Sequence, residues 1–130
     1  MQRFQDENDL ALQSYHQALD LFKTVGDRLG EANTLKAIGG MHLEQGKGET
    51  ALKLLDEALQ LYRQVGDRSG QANIYWLLGI TLAQNGHLAD AEPLVAQAVE
   101  LGNQFAPGHP VTVSMENALA QIREMLSQSE

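Results

Sequence analysis

Apolar residues recur at three- and four-residue steps over most of this chain, and the steps are interrupted at regular points by glycine. This spacing is typical of one face of an amphipathic helix. Glycine can end a helix in the left-handed conformation, so each glycine break separates two predicted helices. No segment alternates in the manner of a strand, and the pattern therefore predicts an all-α chain. Six helices are predicted, over residues 5–25, 28–45, 49–65, 68–85, 88–104 and 111–126.

One nine-residue stretch, 25–33, is echoed at 65–73, an offset of forty residues. Sliding residues 11–50 over 51–90 gives fourteen identities. In both copies a Gly-Asp pair follows one apolar run and precedes another. Asp can cap the second helix with its side-chain oxygen. The repeated unit is thus a pair of helices, and a period of this size is typical of a stacked repeat array.

The spacing of small and apolar residues within this unit resembles the tetratricopeptide repeat, in a lengthened forty-residue form. The signature core positions are occupied by Leu35, Ile38, Gly39, Ala51, Leu55 and Ala58 in the first full copy, and by Tyr75, Leu78, Gly79, Ala91, Val95 and Ala98 in the second. The resemblance implies a right-handed superhelical array of antiparallel helix pairs. It also implies close helix crossings, with Ala51 opposite Gly39 and Ala91 opposite Gly79.

Residues 88–120 resemble the repeats of kinesin light chains, in Ala91-Glu92-Pro93-Leu94 and in the Gly108-His109-Pro110 that precedes the last helix. That last helix carries Glu116 and Ala120 where an apolar residue and a glycine are usual, so it is interpreted as a degenerate closing helix. We expect a single domain over residues 1–130. It comprises an orphan second helix (5–25), two repeats (28–65 and 68–104) and the closing helix (111–126).

Composition and charge narrow the possible partners. The net charge of −8 argues against nucleic acid, because binding to a phosphate backbone requires clustered Lys and Arg. No apolar run approaches the ~20 residues of a membrane span. The chain has no cysteine, which excludes disulfides and thiolate chemistry and is compatible with a reducing compartment. We expect a cytoplasmic protein that binds neither membranes nor nucleic acid.

No catalytic or metal-binding pattern is found among the residue types that carry such chemistry. The four histidines are not spaced as metal ligands, and His42 stands where a repeat has a packed aromatic residue. The segment 46–50 partly resembles a phosphate-binding loop. It lacks the required earlier glycine, which is Met41, and it follows a helix instead of a strand. No nucleophile is paired with a base, so we expect neither enzymatic activity nor a cofactor.

In repeat arrays the first helix of each unit lines the concave face, where partners bind. Its positions outside the core comprise Asn33, Lys36, Ala37, Gly40, Leu43 and Glu44 in the first copy, Asn73, Trp76, Leu77, Ile80, Ala83 and Gln84 in the second, and Ser114, Asn117, Ala118, Gln121, Glu124 and Met125 in the closing helix. We predict a peptide or helix of a partner protein as ligand. The partner-binding residues that we single out are Asn33, Lys36, Ala37, Leu43, Asn73, Trp76, Leu77, Ile80 and Asn117.

Two alternatives stay open at this stage. Trp76 can simply fill space between adjacent helices, in which case it anchors no partner. The chain can also be a structural or self-assembly segment of a larger signalling protein, used for dimerisation or domain spacing. The first helix carries apolar residues on more than one side, which predicts a homodimer through this N-terminal helix; the alternative is a monomeric fragment whose companion helix belongs to a longer parent protein. These residues are Phe4, Leu12, Leu19, Leu21, Phe22 and Val25.

Overall fold

The computed structural model describes the backbone of residues 2–128 and the side chains of residues 7–128. The described residues contain six α-helices and no strand. The helices are α1 (Gln2–Val25), α2 (Arg28–Glu44), α3 (Gly48–Val65), α4 (Arg68–Gln84), α5 (Leu88–Phe105) and α6 (Pro110–Gln128). The all-α prediction is confirmed, and the observed helix ends lie close to the predicted ones.

The Gly-Asp junctions have the conformation that the sequence predicted. Gly26 follows α1 with a φ of 76°, in the left-handed region where glycine is favoured. Oδ1 of Asp27 then accepts a hydrogen bond from the backbone N–H of Gly30, at 2.8 Å. Forty residues later, Oδ1 of Asp67 accepts from the N–H of Gly70 at 2.9 Å. Each Asp thereby satisfies an N–H of the first helical turn that has no partner within the helix.

The chain divides into two compact units, Met1–Gly66 with α1, α2 and α3, and Asp67–Glu130 with α4, α5 and α6. We call them unit 1 and unit 2 and describe each by itself. In unit 1, Arg28 at the start of α2 donates to Oε1 of Gln64 near the end of α3, so these helices run antiparallel. In unit 2, Arg68 and Gln104 make the same bond between α4 and α5, at 3.1 Å. A single domain and a right-handed superhelix stay predictions.

The two signature glycines lie at close helix crossings, as predicted. A Cβ atom placed on Gly39 would lie 2.9 Å from Cδ2 of Leu55 and 3.5 Å from the carbonyl oxygen of Ala51. A Cβ on Gly79 would lie 2.6 Å from Cγ2 of Val95 and 3.1 Å from its backbone nitrogen. Only glycine allows these pairs of helices to approach so closely.

That Ala91 lies opposite Gly79 stays a prediction. The nearest atoms to a Cβ at Gly79 belong to Val95 and Leu94. Ala91 is fully buried, but it belongs to a cluster that also contains Leu119 and Ile122 of α6. The face of α5 that carries Ala91 is therefore shared between its two neighbouring helices, which the pairwise pattern of one repeat does not reveal.

Apolar residues that follow the helical spacing are not always buried. In unit 1, Leu10, Leu21 and Val25 of α1 expose 63%, 65% and 72% of their surface, although they follow the apolar period. Among the helices of its unit, α1 packs chiefly against α2, and these three side chains are left largely uncovered. Leu52 on α3 is likewise half exposed. Leu19 is buried in the same unit, so the sequence pattern identified the helices more reliably than it identified their core faces.

Candidate functional site

A stripe of apolar residues runs along α4 on its partly exposed side. Trp76, Ile80 and Ala83 are spaced at four and three residues and therefore share one face of the helix. All three are half-buried. Trp76 and Ala83 pack against the buried cluster of unit 2, which consists of Ala91, Val95, Leu119 and Ile122. Trp76 thus fills space beside the core and also presents part of its surface to solvent.

The stripe faces a matching one on α6, where Ala118, Ile122 and Met125 have the same spacing. Together the two helices and the start of α5 line an open depression of about 170 Å³. We call it the α4–α6 groove; its lining residues are Ile80, Ala83, Gln84, Leu88, Ala118, Gln121, Ile122 and Met125. Its lining combines apolar side chains with two glutamines, Gln84 and Gln121, and with the half-exposed Met125.

The other predicted residues of unit 2 lie outside this groove. Leu77 is half-buried on α4, and its carbonyl oxygen accepts a hydrogen bond from the Thr81 hydroxyl at 2.7 Å. Asn117 is exposed on α6. Asn73 is exposed near the start of α4 and lines a different cavity. The structure therefore brings Ile80 into the groove, places Trp76 on the same helical stripe, and separates Asn73 from both.

The predicted residues of unit 1 lie on α2. Asn33 is exposed, and its Oδ1 accepts a hydrogen bond from the hydroxyl of the fully buried Tyr62. Lys36, Ala37 and Leu43 are half-buried. Asn33 therefore holds the buried Tyr62 of its own unit by a hydrogen bond, a role that the sequence did not predict. One concave surface that unites these residues with those of α4 stays a prediction.

A second cavity of unit 2, of about 300 Å³, was missed by the sequence analysis except for Asn73. It lies where α4 begins, α5 ends and α6 begins. Its lining residues are Ser69, Ala72, Asn73, Gly102, Phe105, Ala106, His109, Val111, Thr112 and Met115. The sequence did contain a signal for it, because Gly102 stands where the preceding copy has Tyr62. We call it the Gly102 cavity.

The histidines give no sign of a metal site. His42, predicted to be a packed or rim residue, is half-buried, and its Nδ1 has no hydrogen-bond partner among the described residues. His109 uses Nδ1 to accept from the backbone N–H of Val111, at 3.1 Å. Over the described part of the chain, no three His, Asp or Glu side chains are grouped as metal ligands. Within the same residues, no helix has the length and apolar character needed to cross a bilayer.

Comparison with known protein families agrees with the helix-pair architecture. The model of the tetratricopeptide repeat family matches residues 1–64 and, in a second overlapping match, residues 32–104. These matches cover α1 to α5 almost completely. They do not distinguish the kinesin light chain type of repeat, so that resemblance of residues 88–120 stays a prediction. No curated protein matches the sequence.

Proposed function

The chain belongs to the tetratricopeptide repeat family, and we propose that it is a non-catalytic module that binds a peptide or helix of a partner protein. Repeats of this family generally mediate protein–protein interaction. The proposed surface is the one contributed by the first helix of a repeat, which lines the concave face in such arrays. The α4–α6 groove with the adjoining Trp76 is the observation that carries the proposal.

The chemistry of the groove suits a short apolar segment. Helices bind in grooves through apolar anchors at three- and four-residue spacing, and Ala118, Ile122 and Met125 of α6 line the groove at that spacing. Gln84 and Gln121 supply amide donors and acceptors for the polar groups of a ligand. Trp76 adds a large, partly exposed ring beside the groove, and Trp is among the residues that dominate binding energy at interfaces.

A selection of peptides tests this proposal directly. Random peptides displayed on phage are selected on the wild-type chain, and their affinities are then measured for Trp76→Ala. We expect a loss of ~2 kcal/mol, or roughly 30-fold in Kd, as for other aromatic hot spots. Tyr15→Ala is the matched control, because Tyr15 is a partly exposed aromatic residue of unit 1. It should leave the affinities unchanged.

Met125→Glu provides a second arm of the same test. Met125 is half exposed at the groove, so a carboxylate is tolerated by the fold but places a charge among apolar ligand atoms. Selected peptides should bind this variant at least as poorly as they bind Trp76→Ala. Circular dichroism should show unchanged helical content in both variants. Selected peptides that bind all variants equally would remove the groove from consideration as the binding surface.

A second candidate function, self-assembly, is favoured by the exposed stripe on α1. Leu21 and Val25 are more than half exposed, and Leu29 at the start of α2 is 41% exposed. Apolar surface that stays in water loses ~25 cal/mol of hydrophobic stabilisation per Å². A second copy of the chain, related by a two-fold axis, can cover such a patch. Phe22 does not belong to this patch, because its ring packs on Gly30. Leu19 is buried, and the side chain of Phe4 lies outside the described residues.

Light scattering over a range of concentrations tests the homodimer. We expect a dimer mass for the wild-type chain at high micromolar concentration and a monomer mass for Val25→Glu. Leu52→Glu is the matched control, because Leu52 is an exposed apolar residue of the same unit on a different helix. A monomeric wild-type chain, or an equal effect of both substitutions, would exclude dimerisation through α1.

A further inference from the structure

Unit 1 holds a phenol ring between the ends of its helix pair. Tyr62, near the end of α3, is fully buried, and its hydroxyl donates to Oδ1 of Asn33 on α2. The forty-residue offset relates these two residues to Gly102 and Asn73 in unit 2. Unit 2 therefore repeats the asparagine without the tyrosine.

The place of the missing ring is largely open. Gly102 has no side chain, and Ser69 stands where unit 1 has the larger Leu29. Thr112 of α6 fills part of the space, since its Oγ1 would lie 3.0 Å from a Cβ on Gly102. A cavity of about 300 Å³ remains. An apolar cavity of ~150 Å³ is already sufficient to bind benzene, so a single ring fits.

The lining residues are suited to an aromatic ring. Phe105 is 49% exposed, so its ring is accessible for edge-to-face contact with a ligand ring. Met115 is buried, and thioether sulfur packs favourably against aromatic groups. The side-chain amide of Asn73 makes no hydrogen bond to any residue that the structure describes, and it lies at the wall of the cavity. Its oxygen is the counterpart of the one that accepts from Tyr62 in unit 1.

We infer that the Gly102 cavity binds the phenol ring of a tyrosine from a partner polypeptide, with Asn73 accepting a hydrogen bond from its hydroxyl. The preference for tyrosine over phenylalanine comes from that acceptor, which would make the bond that Asn33 makes with Tyr62 in unit 1. The inference rests on the proposed function only in that the tyrosine belongs to a partner protein. The cavity shares no lining residue with the α4–α6 groove.

Two methionines make the sites distinguishable in one experiment. Met115 lines the Gly102 cavity and Met125 lines the groove. The full chain, labelled with ¹³C at its methionine methyl groups, is titrated with N-acetyl-L-tyrosinamide and followed by NMR. We expect a saturable shift of the Met115 methyl and no shift of the Met125 methyl. N-acetyl-L-phenylalaninamide should bind roughly threefold to tenfold more weakly, because it lacks the hydroxyl.

Three variants test separately the binding of the ring in the cavity and the hydrogen bond of its hydroxyl. Ser69→Leu introduces the residue that unit 1 has at this position, and it should abolish the Met115 shift by filling the cavity. Asn73→Ala should keep the shift but give both probes equal affinity. Asn103→Ala replaces an exposed asparagine of α5 that does not line the cavity, and it should behave as the wild type.

The inference is overturned by any of three results: no saturable shift at Met115, a shift at Met125 instead, or equal affinity of the wild type for both probes. An Asn73→Ala variant that still prefers the tyrosine probe overturns it as well. None of these results bears on the groove, because loss of peptide binding in Trp76→Ala is measured separately. The two proposals can therefore fail independently.

Discussion

The helix pair α2–α3 of unit 1 and the helix pair α4–α5 of unit 2 share a framework but differ in what fills it. Both pairs have an Asp cap at the first helix and an Arg–Gln hydrogen bond that ties its start to the end of the second. Between these fixed points, unit 1 has Tyr62 and unit 2 has Gly102. The helix caps and the close helix crossings hold each pair together. An interior position can therefore carry glycine in place of a large side chain and leave a cavity.

A second contrast concerns the exposed side of the first helix. At the positions of Trp76 and Ile80 in α4, unit 1 has Lys36 and Gly40 in α2. The same backbone therefore presents a cation and a glycine in one copy, and two large apolar residues in the other. Both copies keep the Asp caps and the glycine crossings, whereas these partly exposed positions differ between them.

The largest expected effect tests the filled interior of unit 1. Tyr62→Ala should lower the free energy of unfolding by about 3–5 kcal/mol, because it leaves a cavity where a fully buried ring was. Urea denaturation followed by circular dichroism measures the loss. Gly102→Ala is the counterpart in unit 2, and it should cost far less because its Cβ approaches only the Thr112 side chain, at 3.0 Å or more. Similar losses for the two variants would contradict the contrast.

The next effect compares the two glycine crossings. Gly79→Leu should destabilise by about 3 kcal/mol, at the upper end for overpacking, because its Cβ meets the backbone of Val95. Gly39→Leu should cost about 1–2 kcal/mol, since the nearest atoms there belong to the side chain of Leu55. Gly40→Leu is the control, as nothing lies within 4 Å of its Cβ position. A Gly79→Leu chain that melts with the wild type would place the crossing elsewhere.

A smaller difference should separate the two asparagines. Asn33→Ala removes the acceptor of the Tyr62 hydroxyl, so a loss of about 1 kcal/mol is expected in urea denaturation. Asn73→Ala should change stability by less than ~0.5 kcal/mol, as for other exposed side chains outside special contacts. Equal losses would mean that Asn73 has a structural partner, which would also weaken the case for the Gly102 cavity.

The smallest effect should be the same in both units. Arg28→Ala and Arg68→Ala each remove one exposed hydrogen bond to a glutamine, and each should cost no more than ~0.5 kcal/mol. Melting temperatures of the two variants, measured side by side, should agree. A much larger loss of stability in one unit would show that the two Arg–Gln hydrogen bonds are not equivalent, in spite of their identical residues and spacing.

Much of the fold and part of the site could be predicted from the sequence. Helix ends and caps were correct because they depend on residues adjacent in the chain, such as Gly26 and Asp27. The polar and apolar residues assigned to the solvent side of the repeat included most of the α4–α6 groove, among them Ile80, Ala83 and Met125. Periodicity could group these residues because it determines which residues share a face of a helix.

By itself, then, the sequence determined the helix pairs, their junctions and the close crossings at Gly39 and Gly79, since each follows from local conformation or from a repeated spacing. Only the tertiary structure decided that Tyr62 bonds to Asn33, that Ala91 packs with Leu119 and Ile122, and that Gly102 leaves a cavity. The reason is physical. These outcomes depend on side chains from different helices competing for one volume, and the spacing of residues along a single helix contains no information about that volume.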